Sequence, residues 1–100
     1  MKISMDFDSV LDTKRGQDTA RRLMRSNDVY ILTARNEKTM SEKVNIIADL
    51  LGIPKSRIIY TNGADKWKAI NDNRIEVHYD NAQEQIDKIK ANTKAKAIKF

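Results

Sequence analysis

The chain contains no cysteine among its 100 residues, and this absence excludes several kinds of chemistry. A disulfide framework, a thiolate metal site and a thiol nucleophile all require cysteine. No apolar stretch approaches the roughly 20 residues that a transmembrane helix needs. The N-terminus has the pattern of a strand that ends in two aspartates, not that of a signal peptide. We therefore expect a cytoplasmic protein with no membrane segment.

The chain also lacks internal repeats and low-complexity linkers, so its length predicts a single domain over residues 1–100. A net charge of +5 favours anionic partners such as phosphate esters, nucleic acid or an acidic protein. The basic residues cluster at positions 21–25 and 88–99, and neither cluster is interleaved with the aromatic residues that stack on bases. Charge alone is therefore weak support for nucleic-acid binding.

Strand and helix periodicities alternate along the whole chain. Strands are predicted at about 2–7, 29–32, 57–60, 75–79 and 97–100, and helices at 17–26, 39–51 and 66–70 and after Asn81. Thr39 and Glu42 fit a capping box for the second helix, and Asp65 and Asn81 fit caps for the last two. Such alternation predicts a parallel sheet covered on both faces, with ligands bound beyond the carboxyl ends of its strands.

Two aspartates one residue apart, Asp6 and Asp8, end the first predicted strand. Adjacent carboxylates repel each other, so such a pair usually has a cation nearby or shares a proton. The arrangement suits a carboxylate nucleophile assisted by a metal ion. Turn chemistry is the alternative explanation, because aspartate caps turns and tolerates bent backbone.

Residues whose side chains can bind phosphate or metal also follow the other strands. The second strand is followed by Thr33, Ala34 and Arg35, the third by Lys66, and the fourth by Asp80. Each has a structural explanation when it is taken alone, as a turn cap or a solvated helix residue. Their position at four successive strand ends favours a common site, because the carboxyl ends of parallel strands lie at one edge of a sheet.

These motifs resemble those of the haloacid dehalogenase-like (HAD) superfamily, in which phosphatases predominate. The first family motif matches Asp6-Phe-Asp8-Ser-Val10, and the second matches Thr33 in Ile-Leu-Thr-Ala-Arg. The third is a lysine ahead of or within the next helix, which is Lys66 with Lys68 as the alternative. Asp80 begins the fourth, which is an acidic pair. The resemblance spans nearly the whole chain and implies a three-layer Rossmann-like fold with strand order 5-4-1-2-3.

The resemblance also implies an activity, that of a Mg²⁺-dependent phosphohydrolase. Asp6 would form an aspartyl-phosphate, and Asp8 would protonate the leaving oxygen and then deprotonate a water molecule. The implied phosphate-binding residues are Thr33, Ala34, Arg35 and Lys66, and the implied Mg²⁺ ligands are Asp6, Asp8, Asp80 and Asn81. Arg35 could instead pair with a local carboxylate.

Two features depart from the family pattern. Asp80 is followed by Asn81 instead of a second acid, and Glu84 lies at the other family spacing, where it also fits a capping box with Asn81. The second departure is the lack of room for a cap domain. Members without a cap often act on macromolecules, so a phosphorylated nucleic-acid end or a phosphoprotein is plausible. A small phosphate ester is the alternative substrate, especially if an oligomer supplies a lid.

Two non-catalytic functions are alternatives to the phosphohydrolase. In the first, the chain is a catalytically weakened module that binds a phosphorylated, nucleic-acid or protein partner. In the second, it is a subunit of a larger assembly that docks through the basic residues at 21–25. His78 is expected to be a half-buried structural residue, and Trp67 to pack in the core or on a helix flank.

Overall fold

A five-stranded parallel sheet forms the centre of the fold in the computed structural model, which describes all residues from Met1 to Phe100. Its strands are β1 (Lys2–Met5), β2 (Asp28–Thr33), β3 (Ile58–Tyr60), β4 (Val77–Asp80) and β5 (Lys96–Lys99). They lie in the order β3-β2-β1-β4-β5, and every neighbouring pair is parallel. This is the predicted order counted from the opposite edge, so the predicted α/β Rossmann-like fold is confirmed.

The strands are connected by helices and short turns. The helices are α1 (Lys14–Leu23), α2 (Glu37–Met40), α3 (Glu42–Leu51), α4 (Trp67–Asp72) and α5 (Gln83–Asn92). A wide helical turn, Phe7–Leu11, follows β1, and a 3-10 turn, Lys55–Arg57, precedes β3. None of the helices combines the length and the apolar character needed to span a lipid bilayer.

Each face of the sheet buries its own apolar cluster, because successive strand residues point to opposite faces. On one face, Met5 and Ile31 pack with residues of α1 and α3, among them Ala20 and Val44. On the other face, Leu32 and Ala97 pack with residues of α4 and α5, which are Ile70, Ile86 and Ile89. Helices therefore cover both faces of the sheet, as the alternation of periodicities predicts.

Several predicted helix starts are wrong, because side chains other than the expected ones cap the helices. Thr13 caps α1 by accepting a hydrogen bond from the Gly16 N–H, so α1 begins three residues before the predicted start at position 17. The predicted helix over 39–51 is two helices. The Asn36 side chain caps α2 by accepting a hydrogen bond from the Lys38 N–H, and α3 begins after Ser41 without a side-chain cap. The predicted capping box at positions 39 and 42 does not form.

The predicted caps of the last two helices are also wrong. The Asp65 carboxylate accepts hydrogen bonds from Gln85 and Lys88 in place of a backbone N–H of α4. Ala82 occupies the N-cap position of α5, and its N–H donates to Oδ1 of Asp80, not to Asn81. For Asp65, contacts with α5 compete for the side chain, which local sequence does not reveal.

The wide turn after β1 shapes the region that carries the two aspartates. The backbone N–H groups of Leu11 and Asp12 donate to the carbonyls five residues earlier, at 3.3 and 3.2 Å. Ser9 adopts a left-handed conformation with φ of 64°, and Asp8 is not helical. The turn buries Phe7, Val10 and Leu11 and leaves Asp8 and Ser9 exposed.

Replacement of Gly16 by alanine is expected to destabilise the protein, because α1 packs closely on this turn. An added Cβ would lie 1.8 Å from the Val10 carbonyl oxygen. Alanine favours a helix over glycine by about 1 kcal/mol, but the clash with backbone outweighs that gain. We expect a net loss of about 1–3 kcal/mol, measured by urea unfolding. Arg22→Ala on the exposed face of α1 is the control, and a Gly16→Ala protein as stable as wild type would contradict the close packing.

Candidate active site

The carboxyl ends of β1 and β4 bring four polar residues to one face of the sheet. Ser4 lies opposite His78 in the register of these two strands. Asp6 follows Ser4 by two positions, and Asp80 follows His78 by two. Because residues two apart in a strand share a face, all four side chains point toward the layer formed by α4 and α5. All four are buried.

Lys66 links the two carboxylates of this group. Its Nζ atom lies 2.8 Å from Oδ1 of Asp6 and 2.7 Å from Oδ2 of Asp80. The Lys66 side chain is only 5% exposed, and its backbone N–H donates to Oε1 of Gln85 in α5. Lys68 is exposed on α4. Of the two lysines considered from the sequence, the structure therefore brings Lys66 to the carboxylates.

His78 and Ser4 extend this contact into a buried polar chain. His78 Nε2 lies 2.8 Å from Oδ2 of Asp80, and Nδ1 lies 2.6 Å from the Ser4 hydroxyl. A carboxylate can only accept, so Nε2 carries the proton and donates it to Asp80. Burial lowers the pKa of His78, which keeps the ring neutral, and Nδ1 then accepts from Ser4. His78 is fully buried, not half-buried as predicted, and it orients Asp80.

The two carboxylates are affected differently by the shared ammonium. Burial raises the pKa of Asp80, but the hydrogen bond from His78 and the charge of Lys66 outweigh it and hold that pKa well below its ordinary value. Burial raises the pKa of Asp6 to about 6, although Lys66 opposes the shift. Near neutral pH the group therefore holds two carboxylates, one ammonium and a neutral imidazole. One negative charge is in excess.

The two carboxylate oxygens of Asp6 differ in their hydrogen bonds. Oδ1 accepts hydrogen bonds from the Phe7 N–H at 2.9 Å and from Lys66. Oδ2 accepts no hydrogen bond and is not enclosed, since every buried side-chain polar atom has a partner. One oxygen of Asp6 is therefore fixed by two donors, and the other is free of hydrogen bonds.

Asp8 points to Arg35 and not to the buried group. Arg35 Nη2 lies 2.7 Å from Oδ1 of Asp8, and Nε lies 3.2 and 3.1 Å from its two oxygens. The hydrogen bonds from Arg35 lower the pKa of Asp8 despite some desolvation, so Asp8 is ionised near neutral pH. Of the two roles considered for Arg35, pairing with a local carboxylate is the one present in the structure.

The remaining predicted phosphate-binding residues lie at the end of β2. Thr33 is fully buried, and its hydroxyl oxygen accepts the Arg35 backbone N–H at 3.2 Å. Ala34 is exposed, and its carbonyl accepts the Gly63 N–H at 2.7 Å. Both residues therefore lie at the predicted edge, where Thr33 orders the backbone that carries Arg35.

Side chains alone do not form a metal cluster, since no three acidic, histidine or cysteine groups converge in metal-binding geometry. Asn81 is exposed beside Asp80, whereas Glu84 is exposed and pairs with Lys88 at 3.0 Å. The chemistry of Asp6 and Asp80 nevertheless fits Mg²⁺, which prefers oxygen donors and is commonly held by one or two carboxylates together with substrate phosphate. The excess negative charge favours a cation at the same place.

No protein-family model matches this chain, and no curated protein matches it in sequence. The family resemblance of the four short motifs is therefore a hypothesis, independent of the geometry described above. A cavity of about 740 Å³ does not coincide with this geometry. It lies near Ile75 and Ala95, at the amino ends of β4 and β5, whereas the carboxylates lie at the opposite edge of the sheet.

The stability of the fold is expected to depend on pH through Asp6. Because its pKa is higher in the folded protein than the ordinary value of 3.8, the wild type binds a proton more readily when folded. It therefore loses stability as pH rises from about 4 to 7, by up to about 3 kcal/mol. Without divalent cations, Asp6→Asn should be more stable than wild type at pH 8 by a similar amount, and nearly equal at pH 4.

Urea unfolding at both pH values measures this difference. Asp80→Asn is the matched control with the opposite sign, since the pKa of Asp80 is lowered and its ionised form stabilises the fold above pH 4. Equal stability of wild type and Asp6→Asn at pH 8 would show that Lys66 fully compensates the buried charge of Asp6.

Proposed function

We propose that this protein is a Mg²⁺-dependent phosphohydrolase of the HAD-like type, with Asp6 as its nucleophile. The orientation of Asp6 carries the proposal. Its Oδ1 is held by the Phe7 N–H and Lys66, while Oδ2 is open at the carboxyl end of the central strand. Its raised pKa, about 6, leaves it ionised at neutral pH and more basic than an ordinary carboxylate. Both properties favour attack on phosphorus.

The reaction has two displacements at the phosphorus of a phosphomonoester. In the first, Oδ2 of Asp6 forms a bond to phosphorus, the ester P–O bond breaks, and the leaving oxygen takes a proton from Asp8, which has first left Arg35 and accepted that proton from solvent. In the second, Asp8 removes a proton from a water molecule that attacks the aspartyl-phosphate. The bond between Asp6 and phosphorus then breaks, and inorganic phosphate leaves.

The charges around Asp6 support this chemistry. Lys66 lies 2.8 Å from Asp6, where its ammonium offsets negative charge on the transferring group. When bound, Mg²⁺ would supply further positive charge, with Asp6, Asp80 and the backbone carbonyl of Asp8 as the residues that hold it. His78 fixes Asp80 by donating to its Oδ2 at 2.8 Å. Asn81, next in the chain, is the candidate for a further ligand.

The exposure of the site supports substrates of varied size. Asp8 and Ala34 are exposed, and the connections on either side of β2 contain only turns and helices α1 to α3. A phosphorylated macromolecule end, including that of a nucleic acid, could reach such an edge as readily as a small phosphate ester. The net charge of +5 favours approach of either anion.

A non-catalytic phosphate-binding module is the second candidate function. The pairing of Asp8 with Arg35 favours it, because an ionised carboxylate held at 2.7 Å by a guanidinium cannot donate a proton. In this alternative, the same edge would bind a phosphorylated partner without turnover.

Fluorine NMR with beryllofluoride and Mg²⁺ distinguishes the two functions without knowledge of the substrate, because beryllofluoride imitates a phosphoryl group on a carboxylate. We expect a Mg²⁺-dependent bound signal with wild type and none with Asp6→Asn. Asp8→Asn is the matched control. It keeps the backbone carbonyl and should keep the signal, while losing turnover by at least about a hundred-fold. A folded wild type without a bound signal would favour the binding module.

Paired lysine variants test the assignment of the phosphate-binding residue. Lys66→Gln should abolish both the beryllofluoride signal and turnover, because the two buried carboxylates lose their only ammonium partner. Lys68→Gln, two residues away and exposed, should keep both. Breaking a buried ion pair costs about 3–5 kcal/mol, so circular dichroism must first establish that Lys66→Gln is folded. Equal activity of the two variants would contradict the assignment.

A further inference from the structure

Arg35 is the fixed partner in its ion pair with Asp8. Its guanidinium carbon lies 5.0 Å from the centre of the Phe7 ring, and Nη1 donates to the Met40 carbonyl at 3.2 Å. The Arg35 side chain is 17% exposed, whereas that of Asp8 is 52% exposed and has no partner besides Arg35. When the pair opens, Asp8 is therefore the side chain that moves, and the guanidinium keeps its place.

The proposed reaction requires this pair to open. Asp8 must reach the leaving oxygen, but the hydrogen bonds from Arg35 hold its carboxylate away from the buried group. A second anion that occupies the guanidinium would release Asp8. Phosphate is a suitable competitor, because two of its oxygens match the two N–H groups that Arg35 now directs at the carboxylate.

A cleft beside Arg35 has space for the group that would carry this anion. Its volume is about 290 Å³, and it is lined by Phe7, Asp12, Arg35, Lys43, Ile46 and Ile47. Lys43 is exposed and forms no ion pair, and Ile46 is 59% exposed. The volume is near the lower limit for small-molecule sites, so it suits a group the size of a sugar or a base. The lining contains two cationic side chains, Arg35 and Lys43, and one carboxylate, Asp12. An anion is therefore favoured at the end of the cleft that Arg35 and Lys43 form.

We propose that the preferred substrates are organic bisphosphates, whose second phosphate binds Arg35 in this cleft and releases Asp8 to act as the acid. The inference rests on the proposed phosphohydrolase function and adds a substrate class to it. Arg35 is then a specificity-determining residue. The apolar wall formed by Ile46 and Ile47 contacts the organic part of the substrate, and Lys43 contributes a second positive charge.

The test compares two substrates that differ only in the second phosphate, adenosine 5′-monophosphate and adenosine 3′,5′-bisphosphate. We expect the kcat/KM of wild type to be at least about ten-fold higher for the bisphosphate, as the loss of one charged hydrogen-bond partner typically costs that much. In Arg35→Gln this ratio should fall to about one. A merely structural role would lower kcat/KM for both substrates equally and keep the ratio, which would overturn the inference. Arg57→Gln is the control, since Arg57 pairs with Asp28 away from the site.

Binding to the Asp6→Asn protein separates failure of this inference from failure of the proposed function. Calorimetry should give at least about ten-fold tighter binding of the bisphosphate than of the monophosphate, and this difference should disappear when Arg35→Gln is added. A beryllofluoride signal in wild type together with equal binding of the two ligands would overturn the substrate class and leave the phosphohydrolase standing. Selective binding without turnover or a beryllofluoride signal would support the cleft as a bisphosphate site and overturn the hydrolase.

Discussion

The contact of the Lys66 ammonium with two buried carboxylates is the interaction on which the rest of the site depends. It joins the ends of β1 and β4 through distances of 2.8 and 2.7 Å, at the centre of the sheet. Charges this deeply buried are stable only when they are paired and hydrogen-bonded. Lys66 contacts the two carboxylates at nearly equal distances, but only Asp80 also accepts a hydrogen bond from His78, and its pKa is lowered. Asp6 has no such partner, and burial raises its pKa, which is the property that the proposed nucleophile needs.

The net charge of these buried groups is consistent with the phosphate and divalent cation that we propose as ligands. Two carboxylates and one ammonium carry a net charge of −1, and a divalent cation would change that charge to +1. A phosphoryl dianion is repelled by the first charge and attracted by the second. The same imbalance makes Asp6 costly for folding, because burial raises its pKa to about 6. A lower folding stability caused by such groups is common at active sites.

The sequence predicted the fold and the common location of Asp6, Lys66 and Asp80, because the carboxyl ends of parallel strands meet at one edge of a sheet. Periodicity identifies each strand to within two residues at either end, and parallel strands bring Asp6, Thr33 and Asp80 to one edge. It does not give the register between strands, so the contact of Ser4 with His78 was not predicted. The spacing of His78 and Asp80, two residues apart on one face, was the available signal. The predicted cap at Asp65 failed for a related reason, since its side chain contacts α5 instead of the helix that it precedes.

The site is divided into a fixed part and a movable part, and the division follows burial. Ser4, His78, Asp80 and Lys66 are buried and hydrogen-bonded to one another, so each holds the next in place. Asp8 is half exposed on the left-handed turn after β1, where a side chain can exchange one partner for another. A nucleophile needs a fixed position, whereas a proton donor has to reach a leaving group and then a water molecule. The wide turn meets both requirements of the proposed mechanism, because Asp6 lies at its buried start and Asp8 at its exposed bend.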